Sequence, residues 1–260
     1  MAEAFRSVAE LYERSRPGYP EAVVAFLVSR LGLGPGRVVA DVAAGTGKLT
    51  RELVASGARV IAVEPLAEMG SILAESAPEA EVLVGTAEDL PLGDASIDAV
   101  TVAQAFHWFD AGPAAAELGR VLRPGGALAL VWNIRDLEDS LQLALNDLLR
   151  PYRGDTPSEH ELSWRVDLEA SPLFGDPEER SFAWASDYTR AELVERVASI
   201  SFVAALPRGE RDGLLERVAA LADAAGEPVP FRYRTDVYVF PRSRDQEARA
   251  AGYLDRGMPA

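Results

Sequence analysis

The sequence predicts an α/β protein built on a doubly wound, mostly parallel sheet with helices on both faces. Two observations carry this. From residue 38 to residue 132, short apolar β-branched runs alternate with segments of helical period. Strands in such an alternation are buried on both faces, and right-handed crossovers wind them into one open sheet. The second observation is the end of the first run, "DVAAGTGKLT" (residues 41–50), a glycine-rich turn placed where open α/β sheets form ligand crevices.

In order, residues 3–15 have helical spacing, with Phe5, Val8, Leu11 and Tyr12 on one face, and "SRPGYP" ends that helix. "EAVVAFLVSRLGL" reads as a second helix, stopped by "GLGPG". "RVVADVA" is the first strand, and "GTGKLTRELVASG" a turn and a helix. "ARVIAVEP", "AEVLVGTA" and "SIDAVTVAQAF" are the next three strands, with the helix "LAEMGSILAESAP" between the first two. "DAGPAAAELGRVLRPGG" reads as a helix closed by a Pro-Gly-Gly turn, followed by the fifth strand, "ALALVWN".

After Asn133 the regularity drops. "LEDSLQLALNDLLRPY" is helical, and residues 151–177, rich in Pro, Gly, Asp and Ser, read as a long excursion. "ERSFAWA" is strand-like, "TRAELVERVASISFVAAL" and "GERDGLLERVAALADAAG" are two amphipathic helices, and "FRYRTDVYVFPR" alternates as a strand. The expected organisation is an N-terminal helical segment over 1–36, one domain over 37–242 with an insertion near 134–178, and a polar tail over 243–260.

Composition narrows the function. With 41 acidic and 26 basic residues the formal charge is -15, a surface that repels phosphate backbones, so nucleic acid is not an expected partner. There is no cysteine, which excludes disulfides and thiolate metal sites, and two histidines, His107 and His160, cannot form a three-histidine zinc site; no metal is expected. The first twenty residues lack the apolar core of a signal peptide, and no apolar run approaches membrane-span length. The expectation is a cytoplasmic protein without a membrane partner.

The loop "DVAAGTGKLT" admits three readings. A phosphate loop needs a glycine where Val42 stands and Ser or Thr where Leu49 stands, so it fails. A dinucleotide loop fits Gly45 and Gly47 but has Thr50 in place of its third glycine. Glu64 closes the next strand, where a carboxylate can accept hydrogen bonds from ribose hydroxyls. Asp41 suits a ligand that brings a cation there and disfavours pyrophosphate; S-adenosylmethionine carries such a cation, its α-amino group. Otherwise Asp41 merely caps the turn.

"VVADVAAGTGKLT" resembles the glycine-rich first motif of the class I S-adenosylmethionine-dependent methyltransferases. "VIAVEP", "GTAEDLPL", "SIDAVTVAQAFHWFD" and "LRPGGALALVW" resemble the family's next motifs, in order and at its spacing. "YERSRPGYP" and "YRTDVYVFPR" resemble its small-molecule, type 11-like branch. The resemblance implies the Rossmann-like fold of that family: a seven-stranded sheet whose last strand runs antiparallel, with the helices of 1–36 forming a lid over the cofactor site.

It also implies roles. Asp41, Ala43, Gly45 and Gly47 would pass close to the methionine part of the cofactor, with Ala43 where many members have glycine. Glu64 would hold the ribose hydroxyls. Pro65 and Met69 would lie near adenine, unless Met69 is helix core. Many members carry an acid where Thr86 stands, so either Glu88 or the backbone around Ala87 would meet the adenine amino group. Gln104 would contact the methionine end. Arg16 would pair with the cofactor carboxylate or be a solvated surface arginine; Tyr12 and Tyr19 would belong to the lid.

His107 in "AFHWFD" follows the C-terminal end of a parallel strand, flanked by Phe106, Trp108 and Phe109. It could act as a base on an acceptor hydroxyl, carboxyl or amine, or pack as a structural histidine. His160 has a weaker case, and Trp132 and Trp164 would line a pocket or simply pack. Methyl transfer from a sulfonium is an in-line displacement that asks chiefly for alignment, so no catalytic triad is required. The expected function is methyl transfer from S-adenosylmethionine to a small molecule, with specificity from the N-terminal helices and residues 134–178. The alternatives are a non-catalytic protein binding the same cofactor and an NAD-dependent oxidoreductase.

Overall fold

The computed structural model describes residues 2–154 and 163–243. The strands are β1 (Val38–Val42), β2 (Arg59–Val63), β3 (Glu81–Leu83), β4 (Ile97–Ala103), β5 (Leu122–Arg135), β6 (Glu178–Tyr188) and β7 (Val229–Pro241). They form one sheet of order β3-β2-β1-β4-β5-β7-β6. The pairs from β3 through β5 are parallel, whereas β7 runs antiparallel to both β5 and β6. The sheet is therefore mostly parallel, with the last strand of the chain reversed.

The helices are α1 (Ala2–Ser15), α2 (Glu21–Leu31), α3 (Lys48–Val54), α4 (Ala67–Ser76), α5 (Ala111–Val121), α6 (Ser140–Leu149), α7 (Ser163–Glu169), α8 (Arg190–Ala198), α9 (Ser201–Ala204) and α10 (Arg208–Ala225). The strand period of two explains the two layers of core. Val39, Ala99 and Val131 face the side covered by Val23 and Leu27 of α2 and Leu53 of α3. Their neighbours Ala40, Val100 and Leu130 face the other side, against Ala114 and Leu118 of α5. A third cluster joins Leu145 and Leu149 of α6, Leu193 of α8 and Leu214 of α10 to Phe231 and Tyr233 of β7. Helix α2 thus belongs to the sheet-covering layer, and α1 with the turn after it is left to reach the site.

Three local readings differ from the structure. The segment read as one helix from Thr189 is two, α8 and α9, because Ser199 and Ile200 interrupt it. The Ser199 hydroxyl donates back to the Arg196 carbonyl at 2.8 Å, and Ile200 is extended at φ -71, ψ 130. The Pro-Gly-Gly turn does not close α5, which ends at Val121; β5 starts at the next residue, and its pairing with β4 shifts register between Ile97 and Ala99. The excursion contains the helix α7, while His160 and the tail from 244 onward lie outside the described residues. No helix among the described residues is long and apolar enough to cross a membrane.

Candidate functional site

Chain order reverses at β1: β2 and β3 lie on one side of it, β4 and β5 on the other. The helices leaving β1 and β4 therefore diverge and open a crevice at the strands' C-terminal ends. A cavity of about 470 Å³ fills it. Asp41, Ala43 and Gly45 line it from β1 and the glycine loop, and Met69 from α4. Gln104 lines it from the end of β4, followed by His107. Arg16, with Tyr12 and Tyr19, lines it from α1 and the following turn. Gly47, Glu64, Pro65, Ala87 and Glu88 are not among its lining residues.

The loop is shaped by left-handed backbone at Ala43 (φ 54), Gly45 (φ 59) and Gly47 (φ 87). The two glycines serve different ends. A Cβ on Gly45 would meet no protein atom within 4 Å, so the space beside it is open to a ligand. A Cβ on Gly47 would come 3.0 Å from Leu73 Cγ and 3.2 Å from Ser76 Oγ, so this glycine seats the loop on α4. Ala43 and Gln104 (φ 59) hold left-handed conformations without being glycine, at a cost of about 1–2 kcal/mol each. Both face the cavity, and strain of this kind concentrates at ligand sites.

Asp41 sits at the mouth of the loop and is 1% exposed. Its carboxylate accepts hydrogen bonds from the Thr50 hydroxyl at 2.6 Å and from the Thr101 hydroxyl at 2.8 Å. Burial raises its pKa from 3.8 to about 6; the two hydroxyls oppose the rise and the Glu64 carboxylate adds to it. A buried acid facing a cavity under these conditions is complementary to a cation. Glu64 lies behind the loop. Its Oε2 accepts from the Gly45 N–H at 2.8 Å and its Oε1 from the Leu66 N–H at 3.0 Å, which fixes the carboxylate between the loop and the start of α4. Burial raises its pKa, and these two hydrogen bonds oppose the rise.

Of the residues expected near adenine, Met69 reaches the cavity. Ala87 is buried in the core beneath α5. The Glu88 carboxylate accepts from the Asp110 N–H at 3.0 Å, at the entrance of α5. His107, in a 3-10 turn over Phe106–Trp108, packs its ring between Trp108 and Trp132, with centroids at 4.7 and 5.1 Å.

The roof is fastened at both ends. Glu13 of α1 accepts from the Thr46 hydroxyl of the glycine loop at 2.5 Å and pairs with Arg51 at 3.0 Å, and its carbonyl accepts from Lys48 Nζ at 2.5 Å. On the other side, Arg14 pairs with Glu195 of α8 at 3.0 Å, and Arg16 donates to the Ser199 carbonyl at 3.3 Å. Asn133 of β5 donates to the Gly18 carbonyl at 3.0 Å, holding the turn that carries Tyr19. Burial, with Tyr12 and Asp41 nearby, raises the Tyr19 hydroxyl well above its ordinary pKa of 10.0, so it remains a neutral donor.

Sequence reasoning missed the far wall. Arg196, Ser199, Ile200 and Phe202 line the cavity from the α8–α9 junction. The signal was present in "VASISF", where two serines and a β-branched residue weaken helix propensity without breaking the helical period. From the end of β5 and the stretch after it come Arg135, Leu149 and Arg153.

Residues 40–130 match the methyltransferase domain family. The chain is 38% identical over 238 residues to an uncharacterized methyltransferase of Mycobacterium tuberculosis, covering 89% of this chain and 93% of that protein. It is 33% identical over 235 residues to an uncharacterized methyltransferase-like protein of Schizosaccharomyces pombe, covering 90% of each. A solved structure from Anaeromyxobacter dehalogenans, proposed as a type II methyltransferase, superposes with a TM-score of 0.60 at 27% identity, over 87% of this chain and 97% of that one. The chain belongs to the class I S-adenosylmethionine-dependent methyltransferases and is an enzyme.

Proposed function

We propose that this enzyme transfers the methyl group of S-adenosylmethionine to a small-molecule acceptor held in the cavity under α1. The observation that carries the reading is the buried Asp41 carboxylate, held by Thr50 and Thr101 at the mouth of a left-handed glycine loop and open to the cavity. The residues fit the cofactor. Asp41 would hold its α-amino group, Gly45 would admit close approach of its methionine part, and Arg16 would meet its carboxylate. Glu64 would meet the ribose through lone pairs beyond those engaged by Gly45 and Leu66. Met69 would lie against the adenine. When bound, the sulfonium supplies an electrophilic methyl group.

The remaining work is alignment and exclusion of water. The lid of α1, fastened by Glu13 to the loop, covers the cofactor half. His107, packed between Trp108 and Trp132, forms an aromatic wall next to Gln104. A cavity of about 470 Å³ is of small-ligand size, and the -15 chain charge disfavours nucleic acid.

The test is transfer of labelled methyl from S-adenosylmethionine into a mixture of small metabolites, protein and RNA, separated by size afterwards. Label in the small-molecule fraction supports the reading. Label confined to protein or RNA overturns the acceptor class while leaving methyl transfer intact.

A further inference from the structure

The cavity where the acceptor would sit is lined by far more basic than acidic side chains, against the balance of the whole chain. The chain holds 41 acidic and 26 basic residues, yet the cavity is lined by Arg16, Lys48, Arg135, Arg153 and Arg196 against a single acid, Asp41. Lys48 is engaged with Glu13 in fastening the lid. Arg16, Arg135, Arg153 and Arg196 line the same small cavity, and two of them, Arg135 and Arg196, are only 9% exposed.

The proposed cofactor does not account for them. It brings one carboxylate, which Arg16 would meet, leaving the other three. These come from elements on the acceptor side. Arg135 ends β5, in register with Tyr233 of β7, whose hydroxyl is 3.0 Å from that of Tyr188. Arg196 acts electrostatically on the same Tyr188. Arg153 follows α6 and donates to Asn146 at 3.5 Å. Between them Leu149, Ile200 and Phe202 supply an apolar surface. A guanidinium is a planar fork of N–H donors matched to a carboxylate, and such forks in a partly dry pocket select anions with a defined orientation.

We infer that the acceptor is a small organic acid with an apolar body, anchored through its carboxylate by Arg135, Arg153 and Arg196. The inference rests on the methyltransferase reading of the site. Hydrogen bonds from the guanidiniums hold the anchored carboxylate, while the apolar body lies along Ile200 and Phe202 toward the cofactor half.

The test uses the full-length protein saturated with S-adenosylhomocysteine and titrated calorimetrically with phenylacetate, benzoate and adipate, each beside its amide. The acids are expected to bind at least about tenfold more tightly than the amides, and Arg153→Gln to erase that difference. Arg196→Gln is the second variant, with a thermal melt to show that it folds. In both, affinity for S-adenosylmethionine is expected to stay within about twofold of wild type. Amides binding as well as acids, or no acid binding at all, overturns the anionic pocket while leaving the methyltransferase reading untouched. Failure of the wild-type protein to bind S-adenosylmethionine is a separate result that strikes that reading instead. Loss of cofactor affinity in the arginine variants, with acid preference retained, would reassign the guanidiniums to the cofactor.

Discussion

The Thr50 hydroxyl donates to the Asp41 carboxylate at 2.6 Å, from the position where a dinucleotide loop would carry its third glycine. The residue that breaks one loop reading thus supports the other: a side chain standing where a dinucleotide loop needs a glycine for close helix–strand packing holds a carboxylate in place. Thr50→Val removes the donor and leaves the shape. A hydrogen bond to a buried charged group contributes about 1.5–3 kcal/mol, so urea denaturation at neutral pH should show a loss in that range. An unchanged midpoint would mean that the hydroxyl does not support a charged Asp41.

Asp41 predicts two opposite pH effects. Its folded pKa of about 6 lies above its ordinary 3.8, so the folded state binds this proton more tightly than the unfolded state does. Its contribution to stability is therefore most favourable below pH 4, declines as pH rises to about 6, and is fully lost above that; the shift corresponds to roughly 3 kcal/mol. Asp41→Asn should accordingly melt higher than wild type at pH 7.5, with the advantage shrinking toward pH 4. Cofactor affinity should run the other way, because an α-amino cation prefers the ionised acid. It should fall as pH drops below about 6 in wild type and stay flat in Asp41→Asn. Parallel pH profiles for the two proteins would remove Asp41 from the cofactor site.

The two glycines of the loop should separate folding from binding. Gly47→Ala places a Cβ 3.0 Å from Leu73 Cγ at φ 87, and should cost about 1–3 kcal/mol in stability with near-normal cofactor affinity once folded. Gly45→Ala puts its methyl group in open space at φ 59 beside the cavity, and should lose cofactor affinity beyond its smaller stability cost. Chemical denaturation paired with calorimetry reads both. Equal affinity losses in the two variants would contradict the division.

The strands β1, β2, β4 and the latter part of β5 were legible because burial on both faces leaves near-continuous apolar runs, and the glycine loop was legible because its residue types are dictated by backbone angle. The helix break at Ser199–Ile200 was harder, since two serines among apolar residues still fit a helical period. That break carries much of the far wall. The engagements of Glu64 with Gly45 and of Glu88 with Asp110 depend on which backbone N–H groups the tertiary fold brings near, which spacing does not encode. The arginines of the cavity are scattered from Arg16 to Arg196, and only the fold collects them.

Glu13 should govern lid closure more than stability. Its charged partners Lys48 and Arg51 are partly solvated, and such ion pairs contribute little to folding, within about 1 kcal/mol. Glu13→Ala should weaken cofactor binding by about three- to tenfold and expose α1 to faster limited proteolysis. Unchanged proteolysis with unchanged affinity would show that the latch is incidental.

His107 should tolerate an aromatic replacement. As part of a wall with Trp108 and Trp132, His107→Phe should keep kcat within about fivefold of wild type, with the same pH profile. A loss of a hundredfold or more, together with loss of an ionisation from the pH profile of kcat/KM, would instead identify His107 as the base.

The central claim is that the loop between β1 and α3 holds S-adenosylmethionine. The direct measurement is calorimetric titration of the purified enzyme with that cofactor, with NAD as the comparison and Glu64→Ala beside the wild type. Saturable binding of S-adenosylmethionine alone, lost or much weakened in Glu64→Ala, is the predicted result. Binding of NAD in its place, or cofactor binding indifferent to Glu64, would contradict the account.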